Sequence, residues 1–170
     1  MADFIEISPY ELEGNVFEQI GKDWALITAM KKESGDVNTM TASWGGMGVI
    51  WRDPSFVCVI RPQRYTYEFS ENADILTLSF FDEKYRDALK ICGTKSGRDG
   101  DKIAEAGLTV VRDGEAAYFE EAKAVLVGRK VYTDMLREDS FVDKSIISTH
   151  YNGDLHRFYV CKIERVLIKK

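Results

Sequence analysis

The chain has 170 residues, 45% of them hydrophobic and 30% charged, which suits one domain, residues 1–170, with an ordinary core. Its net charge of -5 argues against nucleic-acid binding in general, which rests on neutralising phosphates. The three cysteines, Cys58, Cys92 and Cys161, form no C-x-x-C pair, which argues against a disulfide scaffold or a zinc ribbon. The N-terminus, Met1 to Glu6, is acidic and lacks the apolar stretch of a secretory leader, and no apolar run approaches the ~20 residues that span a bilayer. A cytoplasmic protein without membrane contact is the expectation.

The first strong strand is Trp24 to Met30, followed by a turn over Lys31 to Asp36 and a Thr-rich strand over Val37 to Trp44. Gly45, Gly46 and Gly48 then break the pattern, and a turn is expected around Asp53-Pro54. Phe56 to Ile60 is continuously apolar and reads as a buried strand, as does Ile75 to Phe81. Asp82 is placed to cap a helix over Glu83 to Cys92, with Tyr85, Ala88, Leu89 and Cys92 on one face and Gly93 just past its end. A short helix is predicted over Asp101 to Ala106, ending at Gly107. Asp139 to Lys144 reads as a turn or short helix between the strands Ala124 to Val131 and Phe158 to Ile168. Six or seven mostly consecutive strands with few helices predict a mainly β protein, an antiparallel barrel with helical excursions.

Three stretches could carry chemistry. In Asn38 to Gly46, a strand of small and hydroxyl residues meets an aromatic, Trp44, and then glycines. Such a segment lets backbone approach a flat heterocycle, and it equally suits an exposed Thr-rich strand ending in a turn. In Arg61 to Glu68, Pro62 and Gln63 could open a helical turn. There Arg64, free N–H groups and the Thr66 hydroxyl would make a phosphate site. The alternative is a solvated arginine pair balancing Glu68 and Glu71. In Cys92 to Lys102, three glycines, hydroxyls and cations make either an anion-wrapping loop or a mobile polar one. It is not a phosphate loop of the G-x-x-x-x-G-K-[ST] kind. His150 and His156 have no ligand pattern around them, so no metal site is expected; His156 reads as a structural or interface residue.

In this order, Asn38-Thr39-Met40-Thr41-Ala42-Ser43-Trp44, Ile60 to Thr66, Leu78-Ser79-Phe80-Phe81, and Cys92 to Asp99 with Lys102 resemble the flavin-reductase-like, FMN-binding split-barrel family, flavoredoxin-like members included. The likeness spans residues 20 to 168. It implies a split β-barrel that binds FMN. Met40, Thr41, Ala42, Ser43 and Trp44 would line the flavin. Arg64, Tyr65 and Thr66 would hold the phosphate and ribityl chain, and Lys95, Ser96, Gly97, Arg98 and Lys102 would close over them. It further implies a homodimer with flavin near the subunit interface, completed by the strand around His156 and Phe158.

The residues agree with this expectation. An acidic protein can hold a phosphate monoester carrying close to two charges only through a local cationic, N–H-rich pocket. The flavin would perform the redox chemistry, so no catalytic side chain is named. Hydride would come from NADH or NADPH. The alternative is an electron carrier or FMN-binding protein without a nicotinamide site, served by a redox partner protein. Cys92 reads as a buried helix cysteine.

Overall fold

The computed structural model describes residues 3–170, so Met1 and Ala2 of the N-terminal reading lie outside the described residues. The strands are β1 (Phe4–Ile7), β2 (Ala25–Met30), β3 (Val37–Ala42), β4 (Gly45–Ile50), β5 (Asp53–Ile60), β6 (Ile75–Phe80), β7 (Val110–Asp113), β8 (Ala116–Phe119), β9 (Ala124–Met135) and β10 (Arg157–Lys169). The α-helices are α1 (Val16–Glu18), α2 (Tyr65–Asn72), α3 (Arg86–Thr94), α4 (Lys102–Glu105) and α5 (Ser145–His150). The main sheet runs β3-β2-β6-β9-β10-β5-β4, with β1 on β10, while β7 and β8 form a separate hairpin. Its end strands, β3 and β4, follow each other in the chain but do not pair. The result is a split β-barrel, mainly β with few helices.

Alternation along the strands explains why the sheet is buried on both faces. Ile27 and Ala29 of β2, Leu78 of β6, Leu126 of β9 and Tyr159 and Cys161 of β10 share one apolar cluster with Phe56 and Ile60. Leu26, Ile75, Val125 and Val127 point the other way and pack with Leu89 and Cys92 of α3 and with Tyr118 and Phe119 of β8. Strands buried on both faces read as continuous apolar runs, which is why β6 and β9 stand out in the sequence.

Four expectations need correcting. The glycines do not break the pattern: Gly45, Gly46 and Gly48 lie within β4, paired with Cys58, Val57 and Ser55 of β5. The turn is Trp51-Arg52, both with positive φ (52° and 68°), while Asp53 and Pro54 open β5. A two-residue hairpin of this hand asks for left-handed backbone at both positions, and neither residue type signals it. Pro54 is tolerated because β10 pairs with β5 only from Ser55 onward, leaving no ladder bond for the missing N–H to lose on that side. Over the predicted helix, Glu83–Tyr85 is a 3-10 turn, Asp82 makes no side-chain cap bond, and α3 runs through Gly93 to Thr94. Gly93 is there for closeness: a Cβ on it would lie 3.2 Å from Cβ of Thr41. Finally, β1, β7 and β8 were not among the predicted strands, because each is only four residues long.

Candidate functional site

The anion-binding part is built on the start of α2. Arg61 to Arg64 form a turn closed by the Arg64 N–H on the Arg61 carbonyl (2.9 Å), and Arg64 is the extended N-cap residue (ψ 133°). The N–H groups of Tyr65 and Thr66 reach no acceptor among the described residues, the usual condition of a helix N-terminus. Thr66 is 1% exposed, and its hydroxyl accepts from Nδ2 of Asn38 (3.0 Å). The Arg64 guanidinium is half-buried, pairs with no carboxylate among the described residues, and has its pKa lowered by that burial. A buried cation without a counter-ion is costly unless an anion arrives.

The segment after α3 closes over this corner. A depression of about 200 Å³ is lined by Gln63, Arg64, Tyr65, Thr66, Thr94, Lys95, Ser96 and Lys102. Lys102 is 4% exposed; its ammonium donates to the carbonyls of Cys92 (3.0 Å) and Lys95 (3.1 Å), the C-terminal end of α3. Burial, with the Arg64 charge adding to it, lowers its pKa to about 8. Cys92 is fully buried and its thiol is pushed up to about 11 by desolvation. Lys95 pairs with Glu105, and the Ser96 hydroxyl accepts from the Arg98 N–H (3.2 Å).

Two of the expected residues border the site without lining either of its depressions. Arg98 is paired with Glu68, stacks over Tyr65 at 4.7 Å and lines neither depression of the site. Gly97 packs against Asn38 and Tyr65 and lines a neighbouring cleft of about 490 Å³, which shares Tyr65 and Lys102 with the anion depression and is also lined by Asp36, Asp101 and Arg112. They clamp the loop onto α2.

The second depression, about 270 Å³, is lined by Met40, Thr41, Ala42, Ser43 and Trp44 with Val59, Arg61, Gln63, Arg64 and His156. The outer edge of β3 bonds no other strand, so its backbone groups are free to face a ligand. The Thr41 hydroxyl is not free: it donates to the Leu89 carbonyl of α3. Trp44, 45% exposed, forms one wall, its ring 5.1 Å from His156, 5.6 Å from His150 and 6.4 Å from Tyr151.

Sequence reasoning missed most of the segment that holds this wall. Arg61 donates to the His150 carbonyl (2.8 Å) and lies 5.0 Å over Tyr151, and the Gln63 N–H donates to Asp154 (3.0 Å). Tyr151 shares a hydrogen bond with Nδ1 of His156 (2.9 Å). Burial first, then the Arg61 charge, lower the His156 pKa to about 4, so the ring is neutral at ordinary pH. Only the concentration of aromatics and histidines over 150–158 hinted at this.

The two depressions meet at Gln63 and Arg64, which line both. Side by side they offer a partly aromatic half beside Trp44 and His156 and a cationic half beside Arg64, Lys95 and Lys102. Among the described residues, no cluster of histidines, cysteines and acids suits a metal ion, and no helix is long and apolar enough to cross a membrane.

Among solved structures, the chain is similar to an FMN-binding domain of a flavin reductases-like enzyme from Shewanella baltica (TM-score 0.70, 12% identity, covering 99% of this chain and 78% of that one). It is similar to a flavoredoxin of Desulfovibrio vulgaris (TM-score 0.67, 20% identity, 86% of this chain and 69% of that one). It is also similar to nitrilotriacetate monooxygenase component B from Bacillus cereus (TM-score 0.67, 15% identity, 98% and 82%). At these identities the likeness concerns the fold. No curated protein matches the sequence. The family profile described as flavin reductase like domain matches residues 17–170. The chain belongs to the flavin reductase-like family.

Proposed function

We propose that this protein is an FMN-dependent oxidoreductase of the NAD(P)H:flavin reductase type. The observation that carries the reading is the meeting of two unlike half-sites at Arg64. The donor set fits FMN. Arg64, Lys102, the Thr66 hydroxyl and the free N–H groups of Tyr65 and Thr66 would take the phosphate, with Lys95 and Ser96 over it. Met40 to Trp44 would border the isoalloxazine through the open edge of β3, and Trp44 with His156 would wall it. When bound, FMN supplies hydride acceptance from a nicotinamide and onward electron transfer. The chain's own contribution is to bind, orient and shield. The neutral His156 ring adds no charge beside the heterocycle.

The likeness to a flavoredoxin favours a second reading, an electron carrier served by a redox partner protein. An anaerobic visible spectrum with added FMN, before and after NADH and NADPH, tests both. Rapid loss of the oxidised flavin band is expected for the reductase. Flavin that binds and stays oxidised would overturn that reading in favour of the carrier.

The proposal includes a homodimer in the cytoplasm. Support for the dimer is exposed apolar surface: Trp51 (65%) stands with its ring 6.4 Å from that of Tyr132, and Val49 (60%) and Val131 are exposed as well. The three buried, unpaired cysteines suit a reducing compartment.

A further inference from the structure

We propose that Asn38 is a positioning residue for the anion end of the site, turning the Thr66 hydroxyl into a dedicated hydrogen-bond donor and so setting preference for a phosphorylated over an unphosphorylated flavin. The inference rests on the FMN reading and deepens it.

Asn38 is 4% exposed and lies on β3, held in register opposite Ala29 of β2. Its Nδ2 donates to Thr66 Oγ1 at 3.0 Å. A hydroxyl has one hydrogen to give, and one that already accepts from an amide directs that hydrogen elsewhere. Among the described residues the Thr66 hydroxyl donates to nothing. Thr66 lines the small depression beside Arg64, Lys95 and Lys102, whose side chains are donors only, and beside Gln63, Thr94 and Ser96, whose side chains can also accept. A bound anion would supply an acceptor to the cations of this corner and to the Thr66 hydroxyl alike. A buried donor left without a partner is costly, so a phosphate oxygen that satisfies it gains more than an exposed hydroxyl would offer.

The other end of the same amide faces the covering loop. A Cβ at Gly97 would stand 2.5 Å from Asn38 Oδ1, so the loop approaches this amide as closely as a bare backbone allows. Asn38 thus touches both the floor of the pocket, through Thr66, and its cover, through Gly97. It does so from the strand whose later residues, Met40 to Ala42, line the other half-site.

The test is a double-mutant cycle on the full chain, reading the dissociation constants of FMN and riboflavin by flavin fluorescence. Thr66→Val and Asn38→Leu should each weaken FMN by about tenfold, with riboflavin changed by about twofold or less. Thr66→Ser should retain FMN affinity. In the Thr66→Val background, Asn38→Leu should cost nothing further, since there is no hydroxyl left to direct. Independent, multiplying losses would overturn the proposal, and so would FMN and riboflavin affinities falling together. If Asn38→Leu does not fold, Asn38→Ser carries the same cycle. Failure of the FMN reading is separable. If the wild type ignores FMN, the rise of its melting temperature with inorganic phosphate takes the place of FMN affinity in the cycle. A wild type that responds to neither would overturn the proposal.

Discussion

The ammonium of Lys102 and the carbonyl of Cys92 lie 3.0 Å apart, which ties the start of α4 to the end of α3 and fixes a buried charge at the rim of the anion pocket. The bond is favourable in two ways: it gives a buried cation an acceptor, and it places that cation at the negative end of a helix. It leaves the lysine poorly solvated, with a pKa near 8.

That pKa gives two opposite pH trends. FMN affinity should be greatest while Lys102 is charged and fall as pH rises through about 8, and Lys102→Met should lower the affinity and remove this part of the dependence. Stability of the ligand-free protein should move the other way. The unfolded lysine, at 10.5, binds more protons than the folded one at about 8, so stability should rise with pH across that window. Fluorescence titrations and denaturant melts over the range check both.

Arg64→Ala should weaken FMN binding by about ten- to a hundredfold, the equivalent of about 1.5–3 kcal/mol for hydrogen bonds between charged groups. The fold should be unaffected, because the guanidinium pairs with no carboxylate among the described residues and its burial is itself unfavourable. Riboflavin affinity, measured in parallel, should stay close to wild type.

His156 predicts an acid limb. Its folded pKa of about 4 lies below its ordinary 6.5, so its contribution is intact above 6.5 and is lost as pH falls towards 4. His156→Gln should flatten this limb in thermal melts. The wall at Trp44 should loosen with it, since the two rings stand 5.1 Å apart.

Gly128→Ala tests the barrel interior. The added Cβ would stand 2.4 Å from Phe56 and 2.9 Å from the Cβ of Cys161, both fully buried. A destabilisation of about 1–3 kcal/mol by urea unfolding is expected from overpacking.

How much of this was legible follows from where each signal resides. Strands β2, β6, β9 and β10 carry their own apolar runs and are visible in the sequence. Strand β4 is visible only through its partner, because Gly45, Gly46 and Gly48 have no side chains to show a period. The site segments were legible because hydroxyls, glycines and cations cluster along the chain. Their pairings were not. Arg98 reads as a phosphate ligand in the sequence, and nothing there records its pairing with Glu68 or its stacking over Tyr65. The wall over Trp44 depends on bonds from Arg61 to His150 and from Gln63 to Asp154, across 89 and 91 residues. No local pattern records contacts at that range.

The central claim is that one site binds FMN by both its ring and its phosphate. Titrating the purified protein with FMN and with riboflavin tests it most directly. Saturable binding of one FMN per chain, with riboflavin at least about tenfold weaker, is the predicted result. Equal affinities would remove the phosphate half of the site, and no saturable binding of either flavin would contradict the account.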